Sequence, residues 1–294
     1  MKTFRQALLE GDVLVFDGAM GTMLEERGFN PGPWCNVEAY ESIIQIHKEY
    51  LEAGAKVLIS NTFAANRLAL ERYGRSARVG EYNLAGIELC MLAADGRAYI
   101  AGDVGPTGQI LEPYGDCTEE LFYEIFYEQA SLFRRADADL IIIETMSDLR
   151  EALIALEACI NAAMLPVVVS MSFDPTGSGY RTVMGDDIES CVCELDAAGA
   201  NALGANCGGV TPEQMAEIAA EMRRFTDKPI LIEPNAGLPE LVGGKAVFGL
   251  SPEDFAQGVL GCIEAGASLV GGCCGTTPAH IKSLADAVRH SRKH

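Results

Sequence analysis

The 294-residue sequence is short of positive charge: 22 Lys and Arg stand against 42 Asp and Glu, a formal net charge of −20. Such a chain is repelled by phosphate backbones and anionic lipid, so nucleic acid and membranes are excluded as expected partners. A cationic substrate or a basic protein is not excluded. Long apolar runs are also missing; none approaches the ~20 residues that a bilayer span needs. The opening Met1-Lys2-Thr3-Phe4-Arg5-Gln6 leads into Ala7-Leu8-Leu9-Glu10, which reads as a short helix and not as a secretory signal. A cytoplasmic location is expected. No linker or shift in composition interrupts the chain, so residues 1–294 read as one domain. The turn Asp17-Gly18-Ala19-Met20-Gly21-Thr22 lacks the full glycine pattern of a dinucleotide fold.

Cysteine is not scarce. Ten of them without an export signal indicate reduced thiols and not a disulfide framework. Cys90, Cys159, Cys191, Cys193 and Cys262 fall in helix-like segments and read as packing residues. Cys191 and Cys193, two apart, would face different ways on a helix. Cys35 and Cys117 fall in expected loops and receive no role.

Eight short apolar runs begin at Val13, Val57, Ala98, Leu140, Val167, Ala202, Ile230 and Ser268. Most of the stretches between them have helical spacing, as in Ile43-Ile44-Gln45-Ile46-His47-Lys48-Glu49-Tyr50-Leu51. Continuous β-type runs joined by helices describe a parallel sheet buried on both faces. Eight units in this length predict a (β/α)8 TIM barrel, with an open doubly wound sheet as the structural alternative. The basic tail Arg289–His294 reads as a frayed helix end.

Such barrels place their chemistry at the carboxyl ends of the strands. Here each run ends on polar or reactive residues: Asp17, Asn61, Asp103, Glu144, Ser170, Asn206-Cys207, Glu233-Pro234-Asn235 and Cys273-Cys274. Taken singly, several have plain alternatives. Asp17 could cap a helix, Asp103 reads better as organising its Gly-Pro turn, and Asn61, Asn206 and Asn235 could tie loops together. Glu144 is harder to set aside, because an ionised carboxylate after three isoleucines needs a cation. His47 sits on a helix and reads as structural. His280 lies inside the helix after the paired cysteines and is a poor candidate ligand.

Cys273 and Cys274 lie between glycines that permit a tight turn aiming both sulfurs at one point. With Cys207 they would give a three-sulfur Zn²⁺ site with an open fourth position. A strained vicinal disulfide or plain thiol packing are the competing readings. Three thiolates on Zn²⁺ carry a formal charge of about −1, which suits activation of an incoming thiol better than of water. Glu144 and Asp17 would hold an ammonium, and backbone amides at Gly18-Ala19 a carboxylate, so the implied acceptor is a small amino-acid thiol.

The segments Asp17-Gly18-Ala19-Met20-Gly21-Thr22, Asn61-Thr62-Phe63, Gly102-Asp103-Val104-Gly105-Pro106, Glu144-Thr145, Asn206-Cys207 and Gly271-Gly272-Cys273-Cys274-Gly275-Thr276 resemble the zinc-dependent homocysteine S-methyltransferases. The resemblance is nearest to the homocysteine-binding module of cobalamin-dependent methionine synthase. It implies zinc on Cys207, Cys273 and Cys274, L-homocysteine as acceptor, L-methionine as product, and a separate methyl-corrinoid protein as the favoured donor. S-methylmethionine, S-adenosylmethionine or a betaine are the alternative donors, and another thiol or selenol the alternative acceptor. A structural or sensory zinc domain is the non-enzyme reading. A homodimer is an option that no residue pattern argues for.

Overall fold

The computed structural model describes residues 1–243 and 245–291. Eight parallel strands carry the fold: β1 Leu14–Val15, β2 Val57–Ile59, β3 Tyr99–Val104, β4 Leu140–Met146, β5 Val167–Met171, β6 Ala202–Asn206, β7 Ile230–Glu233 and β8 Leu269–Val270. Each coincides with one of the eight apolar runs. β2 to β7 pair in chain order, β8 joins β7, and β1 joins β8. The ring closes between β1 and β2, where Phe16 bridges Val57. There Lys56 N–H donates to the Val15 carbonyl at 2.7 Å and Asp17 N–H to the Val57 carbonyl at 3.1 Å. This is the closed (β/α)8 barrel and not the open sheet.

Strand side chains alternate between two faces. Leu14, Phe16, Val57, Tyr99, Ala101, Leu140, Ile142, Val168, Ala202, Leu231 and Leu269 form one apolar cluster, and that cluster fills the barrel. Their neighbours along the strands, such as Val15, Leu58, Ile100, Ile141, Val169 and Ile232, pack outward against the helices. The helix Phe4–Glu10, capped by Thr3 in a capping box with Gln6, adds Phe4 and Ala7 to the interior cluster. The Phe4 ring meets Phe16 and Tyr99 edge-on at 6.5 and 5.4 Å. Burying that one ring contributes about 2–3 kcal/mol, and it closes the floor of the barrel.

A helix follows every strand. The return helices often begin where a side-chain oxygen accepts a first-turn amide, as Thr118, Asp148, Asp187, Thr211 and Ser251 do. Cys35 lies buried at the start of a four-residue helix, Cys35–Glu38, and not in a loop. All ten cysteines are unpaired. Two antiparallel hairpins rise from the carboxyl-end loops: Asp174–Thr176 with Gly179–Arg181 after β5, and Glu240–Val242 with Lys245–Val247 after β7. The final helix runs from Pro278 to Ser291; the rest of the tail expected to fray, 292–294, lies outside the described residues. Among the described residues no helix is long and apolar enough to cross a membrane.

Candidate active site

Counting by two from the apolar rungs reaches the next layer up. Ala101 leads to Asp103, Ile142 to Glu144, Val168 to Ser170, Ala202 through Gly204 to Asn206, and Leu231 to Glu233. Polar side chains therefore point into the same ring that is apolar below. Above them opens a cavity of about 450 Å³, lined by Gly18, Asn61, Asp103, Glu144, Glu233 and the three cysteines Cys207, Cys273 and Cys274, among others. Among the described residues no Lys, Arg or His lines it. A larger, shallower groove lies at the opposite end beside Arg5, Arg223 and Lys228. Two of its cations are engaged, Arg223 on the Thr226 and Gly266 carbonyls and Lys228 on Asp196 at 2.8 Å.

The carboxylates have little to neutralise them. Asp103 Oδ1 and both Glu233 oxygens are buried without a hydrogen-bond partner. Burial pushes both groups well above the usual carboxylate range. The charges of Glu144, Glu233 and Asp17 add to the effect on Asp103, and those of Glu144 and Asp17 to that on Glu233. Glu144 is pushed up to about 8 by burial, then by the charges of Cys207 and Asp17. Gly271 makes room for this layer, since a Cβ there would come 2.9 Å from Glu233 Oε1.

Asp17 is placed differently. It follows inward-facing Phe16 by one residue, and it does not line the cavity. Its Oδ2 accepts the Ile59 amide at 3.0 Å and lies 3.8 Å from Nδ1 of buried His47. His47 Nε2 in turn lies 3.2 Å from Cys90 Sγ. Burial raises the Asp17 carboxyl, opposed by His47. Asp17 thus backs the wall of the cup and caps no helix. The Ala19 amide, expected to bind a carboxylate, donates to Thr276 Oγ1 at 3.0 Å. That bond pins the first loop to the eighth, and no free donor remains at Ala19.

The three asparagines also have partners. Asn61 lines the cavity and donates to Gly32 O and Asn36 Oδ1, both at 3.0 Å. Asn235 donates to the Gly208 carbonyl at 3.1 Å and so braces the sixth loop from the seventh. Asn206 is fully buried. Its Oδ1 accepts Thr145 N–H at 2.9 Å and Ser170 Oγ–H at 2.7 Å, and its Nδ2 donates to Thr145 Oγ1 at 2.7 Å. Those bonds hold Thr145 at φ 58°, a left-handed backbone that a β-branched residue rarely adopts. Cys207 has the same φ, 58°. Asp103 and Glu233, by contrast, lie in the wall where sequence reasoning gave Asp103 a turn and Glu233 no role. The period-two count from Ala101 and Leu231 is the signal that reaches them.

Cys207, Cys273 and Cys274 place their sulfurs within 4.8 Å of one another. Cys207 is held down to about 3 by hydrogen bonds from Cys273 and Cys274, helped by the Gly208 amide and Asn235. The same bonds to Cys207 raise the other two thiols, Cys274 to about 12. Three convergent sulfurs, one already a thiolate, are a donor set that fits a soft divalent metal. His280 is not one of them. Its Nδ1 lies 2.9 Å from Thr277 Oγ1, and its Nε2 lies 3.0 Å from the Leu250 carbonyl.

A (β/α)8 barrel that gathers three thiols at its strand ends, beside carboxylates and, among the described residues, no cation, has the donor set of a soft-metal site. More narrowly, the chain belongs to the homocysteine S-methyltransferase family, whose model matches residues 14–288. It is 31% identical to a methionine synthase of Mycobacterium tuberculosis over 97% of this chain and 25% of the relative. A methionine synthase of Mycobacterium leprae is 30% identical over 94% of this chain and 24% of its own length. The chain thus spans about a quarter of the length of these relatives. The metallated form of the Escherichia coli homocysteine methyltransferase MmuM superposes with a TM-score of 0.78 at 27% identity, covering 96% of this chain and 98% of that one.

Proposed function

We propose that this chain transfers a methyl group to the thiol of L-homocysteine, giving L-methionine, with Zn²⁺ on Cys207, Cys273 and Cys274 and a methyl-corrinoid protein as donor. The observation that carries the reading is the placement of the three thiols in one cavity with Asp103, Glu144 and Glu233. When bound there, zinc lowers the pKa of an incoming thiol and keeps its sulfur nucleophilic.

The chain's own residues do the rest. Glu144, Asp103 and Glu233 receive the substrate ammonium, with the Asp17 charge behind them. A cation among these groups offsets the cost of burying their charge. At neutral pH Glu144, near 8, enters largely protonated, so an arriving ammonium drives a proton off it. Asn61 and the first-loop backbone at Gly18 form the wall against which the amino acid lies. Asn206 and Asn235 hold the sixth loop, and hence Cys207, in its left-handed turn. The barrel floor below is sealed and apolar, which keeps water from reaching the nucleophile from beneath.

The test is calorimetric titration of zinc-loaded protein in two buffers of different ionisation heat, with L-homocysteine and L-methionine compared. Both ligands displace carboxyl protons, but only homocysteine has a thiol proton to lose. Homocysteine is expected to release about one proton more than methionine, as ligation of a thiol requires. Equal release would refute thiol activation, and no binding of homocysteine would refute the acceptor.

A further inference from the structure

Behind the cup lies a buried trio that the reaction as described leaves unused. His47, on the helix Tyr40–Ala53, and Cys90, on the helix Val79–Ala94, are fully buried, and Asp17 is almost so. His47 Nε2 lies 3.2 Å from Cys90 Sγ, and Nδ1 faces Asp17 Oδ2 at 3.8 Å, longer than a hydrogen bond. Among the described residues neither His47 Nδ1 nor Asp17 Oδ1 has a hydrogen-bond partner. Burial holds Cys90 well above the usual thiol range, so its sulfur carries a proton. A thiol can donate weakly, and an imidazole nitrogen without a proton accepts, so Cys90 S–H donates to Nε2. The ring proton then sits on Nδ1, where it faces a carboxylate. The other tautomer would set a lone pair against that carboxylate.

Asp17 stands where three strand ends meet. Its Oδ2 accepts the Ile59 amide of β2, and its carbonyl accepts N–H of Gly272, the residue before Cys273. Its charge reaches into the cup, where it raises Asp103, Glu144 and Glu233 alike. A carboxylate buried this fully tends to go neutral unless polar groups hold its charge. His47 and the Ile59 amide oppose that tendency at Asp17. We propose that His47, its proton fixed on Nδ1 by Cys90, is a positioning residue: it keeps Asp17 an oriented carboxylate, and through Asp17 it sustains the negative field that receives the substrate ammonium. The proposal rests on the reading above only in taking an amino acid as the acceptor; zinc and the methyl donor do not enter it. It divides the site's labour, with the trio serving the amino group and the three cysteines the thiol.

The experiment has two arms. In the first, wild-type protein isotope-labelled at its histidine nitrogens, metal-free and reduced, is read by NMR. The chain has four histidines, and those of His47 are the signals missing from a His47→Asn variant. A proton on Nδ1 with Nε2 bare is expected; a proton on Nε2 overturns the proposal, whatever the variants do. In the second arm, zinc-loaded protein is titrated calorimetrically with L-homocysteine and with γ-mercaptobutyrate, the same thiol acid without its amino group. An asparagine amide can put an N–H near the position of Nδ1, whereas a glutamine amide reaches only that of Nε2. His47→Gln should therefore weaken homocysteine about tenfold and γ-mercaptobutyrate less than about twofold, the mark of a lost charge that only the ammonium feels. Its zinc content should match wild type, and His47→Asn should recover most of the affinity for homocysteine. Equal weakening of both ligands, or Asn and Gln variants that lose alike, would leave His47 a packing residue and overturn the proposal. Wild type that binds homocysteine while the variants fail to discriminate refutes the role of His47 alone. Wild type that binds neither thiol refutes the acceptor, and the ammonium role of His47 falls with it.

Discussion

Replacing Asn206 by alanine tests whether the site is built on its buried amide. The substitution leaves Ser170 Oγ–H without its acceptor in a region closed to solvent, and Thr145 N–H without its acceptor at the half-buried wall of the cavity. Each stranded donor costs about 1–3 kcal/mol. Against that, Thr145 would be free to leave its left-handed backbone, recovering part of a strain of about 1–3 kcal/mol. The net expectation is a loss of about 3 kcal/mol, a large part of the 5–15 kcal/mol by which a domain is ordinarily stable. Urea unfolding of the metal-free, fully reduced protein, followed by circular dichroism, reads this without interference from metal. Thr145→Gly is the control. It removes one hydrogen bond to Asn206 Nδ2 but also the strain, so it should lie within about 1 kcal/mol of wild type. The reasoning is refuted if Asn206→Ala is as stable as wild type, or if Thr145→Gly loses as much as Asn206→Ala.

Three further outcomes follow from the same geometry. Cys273→Ser should retain less than about a tenth of the bound zinc after dialysis, by metal analysis, since two thiolates and a hydroxyl make a poor soft-metal site; full retention would remove Cys273 from the ligand set. Glu233→Gln should stabilise the metal-free chain at pH 8 relative to its effect near pH 4, below the unfolded carboxyl pKa. The folded carboxyl is raised above its unfolded value, so wild-type stability from this group falls as pH rises past the unfolded pKa, and the amide has no such term; an effect that is the same at both pH values would contradict this. Gly18→Ala should weaken homocysteine binding in calorimetry about tenfold or more, because its Cβ would sit 2.6 Å from Thr276 Oγ1 and 2.9 Å from Tyr50 Cε1, forcing the first and eighth loops apart.

The barrel was legible because each strand opens as an apolar run buried on both faces, with polar residues only toward its carboxyl end. The site was legible where chemistry is concentrated, in Cys207 and Cys273-Cys274. It was less legible where geometry decides. Asp17 and Asp103 each follow an apolar strand, yet one turns outward to His47 and the other inward to the cup, because they differ in parity from the last interior rung. Asn206 looks like any polar loop residue until its four hydrogen bonds to Thr145, Ser170 and Cys273 are seen. The left-handed backbone at Thr145 and Cys207 has no sequence signal, since neither is glycine or asparagine. The two hairpins were hidden for a related reason: they are short and solvent-facing, without the apolar alternation that marks a half-buried strand.

Phe4, wedged beneath Phe16 and Tyr99, makes the barrel a vessel with one door. On the proposed reaction, acceptor and methyl donor then share one entrance, and a protein-borne donor seated over it blocks traffic. Homocysteine is then aboard first, and methionine leaves only after a protein-borne donor lifts away. Turnover on that reading is a queue, whose order is imposed by the apolar plug that Phe4 completes at the far end of the barrel from the thiols.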